Sequence, residues 1–242
     1  MSKSLRLNEV ANPYYCVGKA RRIYRSSELS LFRERLAERQ FRMIGLRSVL
    51  SFPQAYRLFW NAVGGRRYVT ICVEEYVKPK PGCRLLDIGC GPGNIVPYLR
   101  DVEYVGFDMS AEYIESARKH YPQATFVCGL VSQYTLPNLE YFDVVLALGI
   151  LHHLDDEEAH QLFEIAFQGL KPGGKLVSID GVFTKDQSPV ARYLLKRDRG
   201  RFVRNLDGYV QIASRVFPQV KSTLRHDLLR IPYTHIIMEC SR

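Results

Sequence analysis

The stretch Leu85-Leu86-Asp87-Ile88-Gly89-Cys90-Gly91-Pro92-Gly93-Asn94 decides how the chain folds. An apolar run leads straight into three glycines at alternate positions. Such a run suits a strand buried on both faces, and the glycines let the backbone turn sharply and approach a ligand closely. The segment after them offers free N–H groups at its start. The next apolar run closes on Asp108, 19 residues beyond Gly89. In a parallel sheet that distance puts the carboxylate at the tip of the neighbouring strand, where it can accept hydrogen bonds from a ribose diol. The spacing is GxGxG rather than GxGxxG, which disfavours a dinucleotide site. No GKS or GKT follows, so a P-loop is excluded.

Outward from this loop, short apolar runs ending in Gly or Asp alternate with helical stretches. Strands are predicted over Cys83–Ile88, Tyr104–Phe107, Thr125–Cys128, Asp143–Leu148 and Lys175–Ile179, and helices over Asn94–Arg100, Ala111–Tyr121 and Asp155–Gly169. That alternation implies right-handed βαβ units and a parallel sheet covered on both faces. In the tail, a helix near Leu206–Phe217 precedes Lys221–Asp227 and His235–Cys240, and a Pro-containing connection joins these two runs as in an antiparallel pair closing the sheet. Ahead of the loop, Leu29, Phe32, Leu36, Phe41 and Ile44 recur near helical spacing. Arg67–Val77 reads as one more helix, stopped by Lys78-Pro79-Lys80-Pro81-Gly82. The expected fold is α/β: a doubly wound, mostly parallel seven-stranded sheet with an antiparallel last strand and an N-terminal helical extension. The expected boundaries are 1–66 for the extension and 67–242 for the α/β domain, with an insert at about 182–205.

The 242 residues, 46% hydrophobic and 24% charged, suffice for one substantial core and rule out a largely disordered or collagen-like chain. No run approaches the roughly 18 apolar residues of a membrane span, and the N-terminus lacks the apolar stretch of a secretory signal. Cys16, Cys72, Cys83, Cys90, Cys128 and Cys240 are scattered without a CxxC pair. Such thiols fit a reduced, cytoplasmic protein and disfavour a zinc site. The net charge of +9 is uneven: +10 in residues 1–80, −8 in 81–180 and +7 in 181–242. An acidic centre suits a cationic ligand and basic flanks an anionic one, or the flanks are solvated helix faces.

The glycine loop with Asp87 and Asp108 resembles the class I S-adenosylmethionine-dependent methyltransferases, closely over residues 67–182 and loosely to the end of the chain. The resemblance implies a Rossmann-like fold and S-adenosyl-L-methionine as cofactor, with S-adenosyl-L-homocysteine as product. It places Gly89, Cys90, Gly91 and Gly93 beside the cofactor's methionine part, with Asp87 supporting its amino group. Asp108 would hold the ribose hydroxyls and Met109 would pack on adenine. The family's usual Gly-Asp after the third strand is Gly129-Leu130 here, so that side-chain contact to adenine is absent. Ala147 and Leu148 would run along the cofactor. Leu170-Lys171-Pro172-Gly173-Gly174 resembles the family's turn into the fifth strand.

Methyl transfer is an in-line displacement at an activated carbon, so the protein aligns the acceptor and, for a hydroxyl or ammonium, takes its proton. Gly149-Ile150-Leu151-His152-His153-Leu154 follows the fourth strand, and some relatives use a histidine of this loop as base. His152 is the first candidate and His153 the second; either can instead pack or cap the loop. Asp180, ending the fifth strand, faces the same rim and could bind the acceptor. In the insert, Arg199 and Arg201 stand among other arginines suited to phosphate or carboxylate, so an anionic acceptor is expected, with a solvated helix face as the alternative. Tyr15, in the extension, is a candidate pocket wall. No metal-ligand cluster is evident. The favoured function is methyl transfer to oxygen, nitrogen or carbon of a metabolite, sugar or lipid precursor. Methylation of RNA through the basic flanks competes with it, but no Asn-Pro-Pro-Tyr-type motif follows the fourth strand and no RNA-binding module is recognisable. A non-catalytic binding protein on the same fold is the third reading, and the intact glycine loop argues against it.

Overall fold

The computed structural model describes residues 58, 60–131, 136, 139–198 and 200–242, all within the second of two units, Arg57–Arg242. The helical pattern at residues 29–44 and Tyr15 lie outside the described residues.

Seven strands form one sheet: β1 (Cys83–Ile88), β2 (Val102–Asp108), β3 (Thr125–Cys128), β4 (Phe142–Leu148), β5 (Leu170–Gly181), β6 (Gln219–Arg225) and β7 (His235–Ser241). Their order is β3-β2-β1-β4-β5-β7-β6. β1 to β5 run parallel, and β7 pairs antiparallel with both β5 and β6. The chain order reverses between β1 and β4, so ligands are expected at the carboxyl ends of these strands. The glycine loop leaves from there.

Period-two alternation divides the apolar residues between two layers. Leu85, Val144, Leu146 and Ile179 join Tyr68 and Val69 of α1 (Gly65–Ile71), and Cys72 just beyond it, on one face. Leu86, Ile88, Val145 and Leu176 join Leu162 and Phe163 of α3 (Asp156–Gly169) and Ile212 of α5 (Leu206–Ser214) on the other. Each such side chain contributes about 1.5–3 kcal/mol when fully buried. Helix starts are set by local polar chemistry. Ser110 Oγ accepts the Tyr113 N–H at the start of α2 (Ala111–His120), and Asp155 and Glu158 form a reciprocal capping box at the start of α3. α4 (Pro189–Arg197) starts at Ser188 with proline in its first turn.

Three expectations are corrected. The helix expected over Asn94–Arg100 is a single 3-10 turn at Val96–Tyr98, with Leu99 already extended. Gly91 and Gly93 hold positive φ just upstream, and Pro97 lacks the N–H that a continuing helix needs. The expected Arg67–Val77 helix begins at Gly65 and passes into π geometry over Cys72–Val77. β5 begins at Leu170 rather than Lys175, because a register shift against β4 takes up the Pro172-Gly173 turn.

Candidate active site

Main-chain bonds hold the glycine loop to the end of β2. Gly89 and Cys90 donate to the Phe107 carbonyl at 2.7 and 3.0 Å, and Gly93 donates to the Cys90 carbonyl at 3.1 Å. Gly89 has φ 79°, and a Cβ there would lie 2.6 Å from Ile150 Cδ1, so glycine permits the close approach of the loop after β4. Gly91 (φ 54°) differs: a Cβ there would meet nothing within 4 Å among the described residues, so these leave open space at this turn of the loop.

Asp108 stands over that space. Its Oδ2 accepts the Gly91 N–H at 2.8 Å and its Oδ1 the Ser110 N–H at 2.8 Å. Burial pushes the carboxyl up from its ordinary value while these N–H groups pull it back. Met109 beside it is half exposed. Asp87, at the base of the loop, is buried; Tyr104 donates its hydroxyl to Oδ2 at 2.8 Å, and Oδ1 has no partner among the described residues. Burial raises Asp87 to about 7, with the Tyr104 hydrogen bond opposing and the Asp108 charge adding to the rise. Two neighbouring carboxylates strained in this way favour a cationic ligand.

Gly129 donates its N–H to the Asp108 carbonyl at 3.0 Å, and Leu130, half-buried, follows it at the same rim. Leu148 is half-buried at the end of β4. Ala147, one residue before it, has its side chain wholly buried in the layer under α3, so this position offers a ligand its main chain.

The loop after β4 carries a second polar assembly. His152 is buried, its Nδ1 lying 2.7 Å from Asp180 Oδ1, which also accepts the His152 main-chain N–H at 3.1 Å. Its Nε2 lies 3.5 Å from Asp198 Oδ1. Burial works against the charged ring, but the contacts with Asp180 and then Asp198 outweigh it and carry His152 up to about 9. Asp198 feels burial upward, yet His152 and the Tyr233 hydroxyl, donating at 2.6 Å, hold it below its usual range. Asp180 is buried more deeply; its desolvation wins over the pull of His152, and its Oδ2 has no partner among the described residues. His235 is buried near Tyr233, their ring centres 4.8 Å apart, and burial lowers it to about 3.

These contacts favour a charged, loop-fixing His152 over the base expected of it. An imidazolium with both ring nitrogens directed at carboxylates has no lone pair for a substrate proton. His153 is exposed, its ring centre 4.1 Å from that of His152. The two basic insert residues also part company. Arg201 is exposed, and Arg199 lies outside the described residues.

Sequence reasoning missed Asp198, Gly200, Arg204 and Tyr233. A Cβ on Gly200 would lie 2.0 Å from His152 Cδ2 and 2.6 Å from its carbonyl oxygen, so the insert rests directly on the ring. Phe202 donates its N–H to the His152 carbonyl at 3.0 Å. Arg204 donates to the Leu151 and Leu154 carbonyls and to Asp156, tying the insert to the whole loop. The glycine and the arginine among polar insert residues were the available signals, but neither reveals its partner. No group of metal-binding side chains occurs among the described residues.

Comparison with known proteins agrees with this geometry. Residues 85–174 match a methyltransferase domain family. The chain is 32% identical over 142 residues to a phosphoethanolamine N-methyltransferase of Triticum aestivum, covering 55% of this chain and 27% of that protein. It is 33% identical over 129 residues to a trans-aconitate 2-methyltransferase of Variovorax paradoxus, covering 49% of each. This chain thus spans between 26% and 63% of the length of the curated relatives it matches. Among solved structures, a TehB-like S-adenosylmethionine-dependent methyltransferase from Corynebacterium glutamicum superposes with a TM-score of 0.58 at 16% identity, over 79% of this chain and 99% of that one; it bears on the fold alone. With the strand order, the glycine loop and the domain match in agreement, the chain carries a class I S-adenosylmethionine-dependent methyltransferase domain.

Proposed function

We propose that the chain transfers a methyl group from S-adenosylmethionine to a small anionic acceptor. The observation that carries the reading is Asp108, fixed by the Gly91 and Ser110 N–H groups at the carboxyl end of β2. Each of its oxygens holds one such bond, and a carboxylate has about four lone-pair positions, so both can still accept a ribose hydroxyl. The open space at Gly91, the exposed face of Met109 and the unpartnered Asp87 oxygen fit the rest of the cofactor. When bound, the cofactor supplies a methyl group already activated on a sulfonium sulfur.

The chain's own residues then align and exclude water. Gly89 to Gly93, Asp108 and Asp87 fix the donor side, Asp87 by offering its buried oxygen to a cationic group. Leu148 and Ile150 form the wall towards the acceptor. An acceptor that carries a proton would give it to solvent-accessible His153. The imidazolium of His152 shapes the loop between them. Arg201, exposed next to the segment that covers His152, suits the acceptor's negative group.

Calorimetric titration of the full chain with S-adenosylmethionine and S-adenosylhomocysteine tests the donor side. Both should bind at micromolar concentrations, and Asp108→Ala should weaken them by about 2 kcal/mol, roughly 30-fold. Equal affinity in the variant would remove Asp108 from the site, and an absence of binding by the wild-type chain would overturn the function. Methyl transfer to small phosphorylated or carboxylated amines and alcohols, followed by mass spectrometry, tests the acceptor class.

A further inference from the structure

α4 is amphipathic in an unusual way, because its outward side mixes apolar and cationic groups. Ala191 and Leu195 are buried against the domain. Val190 and Tyr193, three residues apart and so neighbours on one helix face, are 54% and 56% exposed. Arg197 continues that face one turn further, its guanidinium 5.1 Å from the centre of the Tyr193 ring. Arg192 and Lys196 are exposed alongside, and Phe202, in the segment after the helix, is 37% exposed. Lys185 is exposed just before the helix, and Asp186 is the one exposed carboxylate among the described residues of 183–204.

The bland explanation covers part of this. Lys196 and Arg197 lie in the last turn of α4, where cations favour the helix dipole. Arg192 donates to the Thr184 carbonyl at 3.3 Å with its guanidinium over the Phe183 ring and is still exposed; none of this covers Lys185, nor does it account for Val190 and Tyr193 in water. A single exposed apolar residue is ordinary, but an aliphatic and an aromatic group side by side within a ring of cations is the pattern of a surface that meets an anionic layer with an apolar interior.

We propose that the outward face of α4 docks on an anionic phospholipid bilayer, with Val190 and Tyr193 entering the headgroup region and Lys185, Arg192, Lys196 and Arg197 facing lipid phosphates. Charge complementarity selects this partner. A single-stranded nucleic acid would meet the same cations and could stack on Tyr193, but it gives Val190 nothing to bury against, whereas a bilayer takes up both side chains. The helix belongs to the insert that rests on His152, so docking would set the acceptor side of the site towards the membrane. The proposal stands on the α4 surface and does not depend on the methyl-transfer reading.

Cosedimentation of the full chain with vesicles tests it. Vesicles of equal phosphatidylglycerol and phosphatidylcholine should retain the protein at low salt and release it at high salt, while pure phosphatidylcholine vesicles retain little. The double variant Val190→Asp/Tyr193→Asp should weaken retention at least tenfold, and Arg192→Gln/Arg197→Gln should weaken it and flatten its salt dependence. Leu224→Asp, at an exposed apolar position on β6, should bind as the wild type does. All these side chains are exposed, and thermal unfolding followed by circular dichroism verifies that each variant folds. Retention of the α4 variants at wild-type levels would assign any binding to another surface and overturn the proposal. So would an absence of vesicle binding, or capture by transfer RNA but not by vesicles.

Discussion

Replacing Asp198 by Asn keeps the shape of the side chain and removes its charge from the imidazolium of His152. The wild-type contact is 3.5 Å long and the Asp198 side chain is 27% exposed, so it is weaker than a buried, well-formed pair, whose rupture costs about 3–5 kcal/mol. Discounted for length and partial solvation, the expected loss is about 1–3 kcal/mol at pH 6. An upper limit comes from linkage. His152 stands at about 9 in the folded chain against 6.5 ordinarily. At 1.36 kcal/mol per unit, its two carboxylates together contribute up to about 3 kcal/mol. The folded value is the higher one, so this stability is fully present below pH 6.5 and fades as the pH rises through 9. Urea unfolding of the wild type and Asp198→Asn at pH 6 and pH 10 measures it. The two should differ at pH 6 and converge towards pH 10, because other titrating groups cancel between them. His152→Gln in both backgrounds should abolish the pH dependence of the difference. A gap that is the same at both pH values, or no gap at pH 6, would refute a charged His152 and restore it as a candidate base.

Two further outcomes follow from the same geometry. Gly200→Ala places a methyl group 2.0 Å from the His152 ring and 2.6 Å from its carbonyl oxygen, so the covering segment must lift. The cost should be about 1–3 kcal/mol, with faster hydrogen exchange at the Phe202 N–H that bonds to His152; unchanged protection there would mean that the insert does not rest on the ring. Asp87, raised to about 7 and lacking a partner at one oxygen among the described residues, should lose its proton when a cationic cofactor binds. Affinity should therefore fall about tenfold per pH unit below 7 and level off above it. Calorimetry at pH 6.5 in buffers of different ionisation enthalpy should report proton release, and identical enthalpies would separate Asp87 from the cofactor.

The sheet was legible because its signals are local. β1 and β3 match their expected spans, since an apolar run between a turn and a glycine or proline can end in few places. Asp155 marks the start of α3 by its own capping chemistry. The Asn94–Arg100 expectation failed for an equally local reason that helical pattern alone underweights. Its apolar residues fit a helix, but Pro97 and the left-handed glycines before it remove the hydrogen bonds that would carry one. β5 outran its expected start because strand pairing can absorb a Pro-Gly turn as a bulge, a tertiary effect no window of sequence displays.

The candidate site divides along the same line. Asp87, Gly89, Gly91 and Asp108 are readable because the loop and two adjacent strands bring them together through short, fixed connections, and the Gly91 to Asp108 bond follows from that register. The state of His152 is not readable, although its position is. Whether that ring serves as a base or sits as a cation depends on Asp180, supplied by β5, and on Asp198, supplied by the insert. Each carboxylate reaches the ring only because β5 lies beside β4 and the covering segment folds back over the loop, with Gly200 leaving room for the contact. One carboxylate would leave His152 able to exchange a proton through Nε2, as in a base oriented by an acid. The second removes that freedom. The step from loop histidine to catalytic base therefore turns on Asp198, and the proposed reaction gives the proton-accepting role to the exposed neighbour His153.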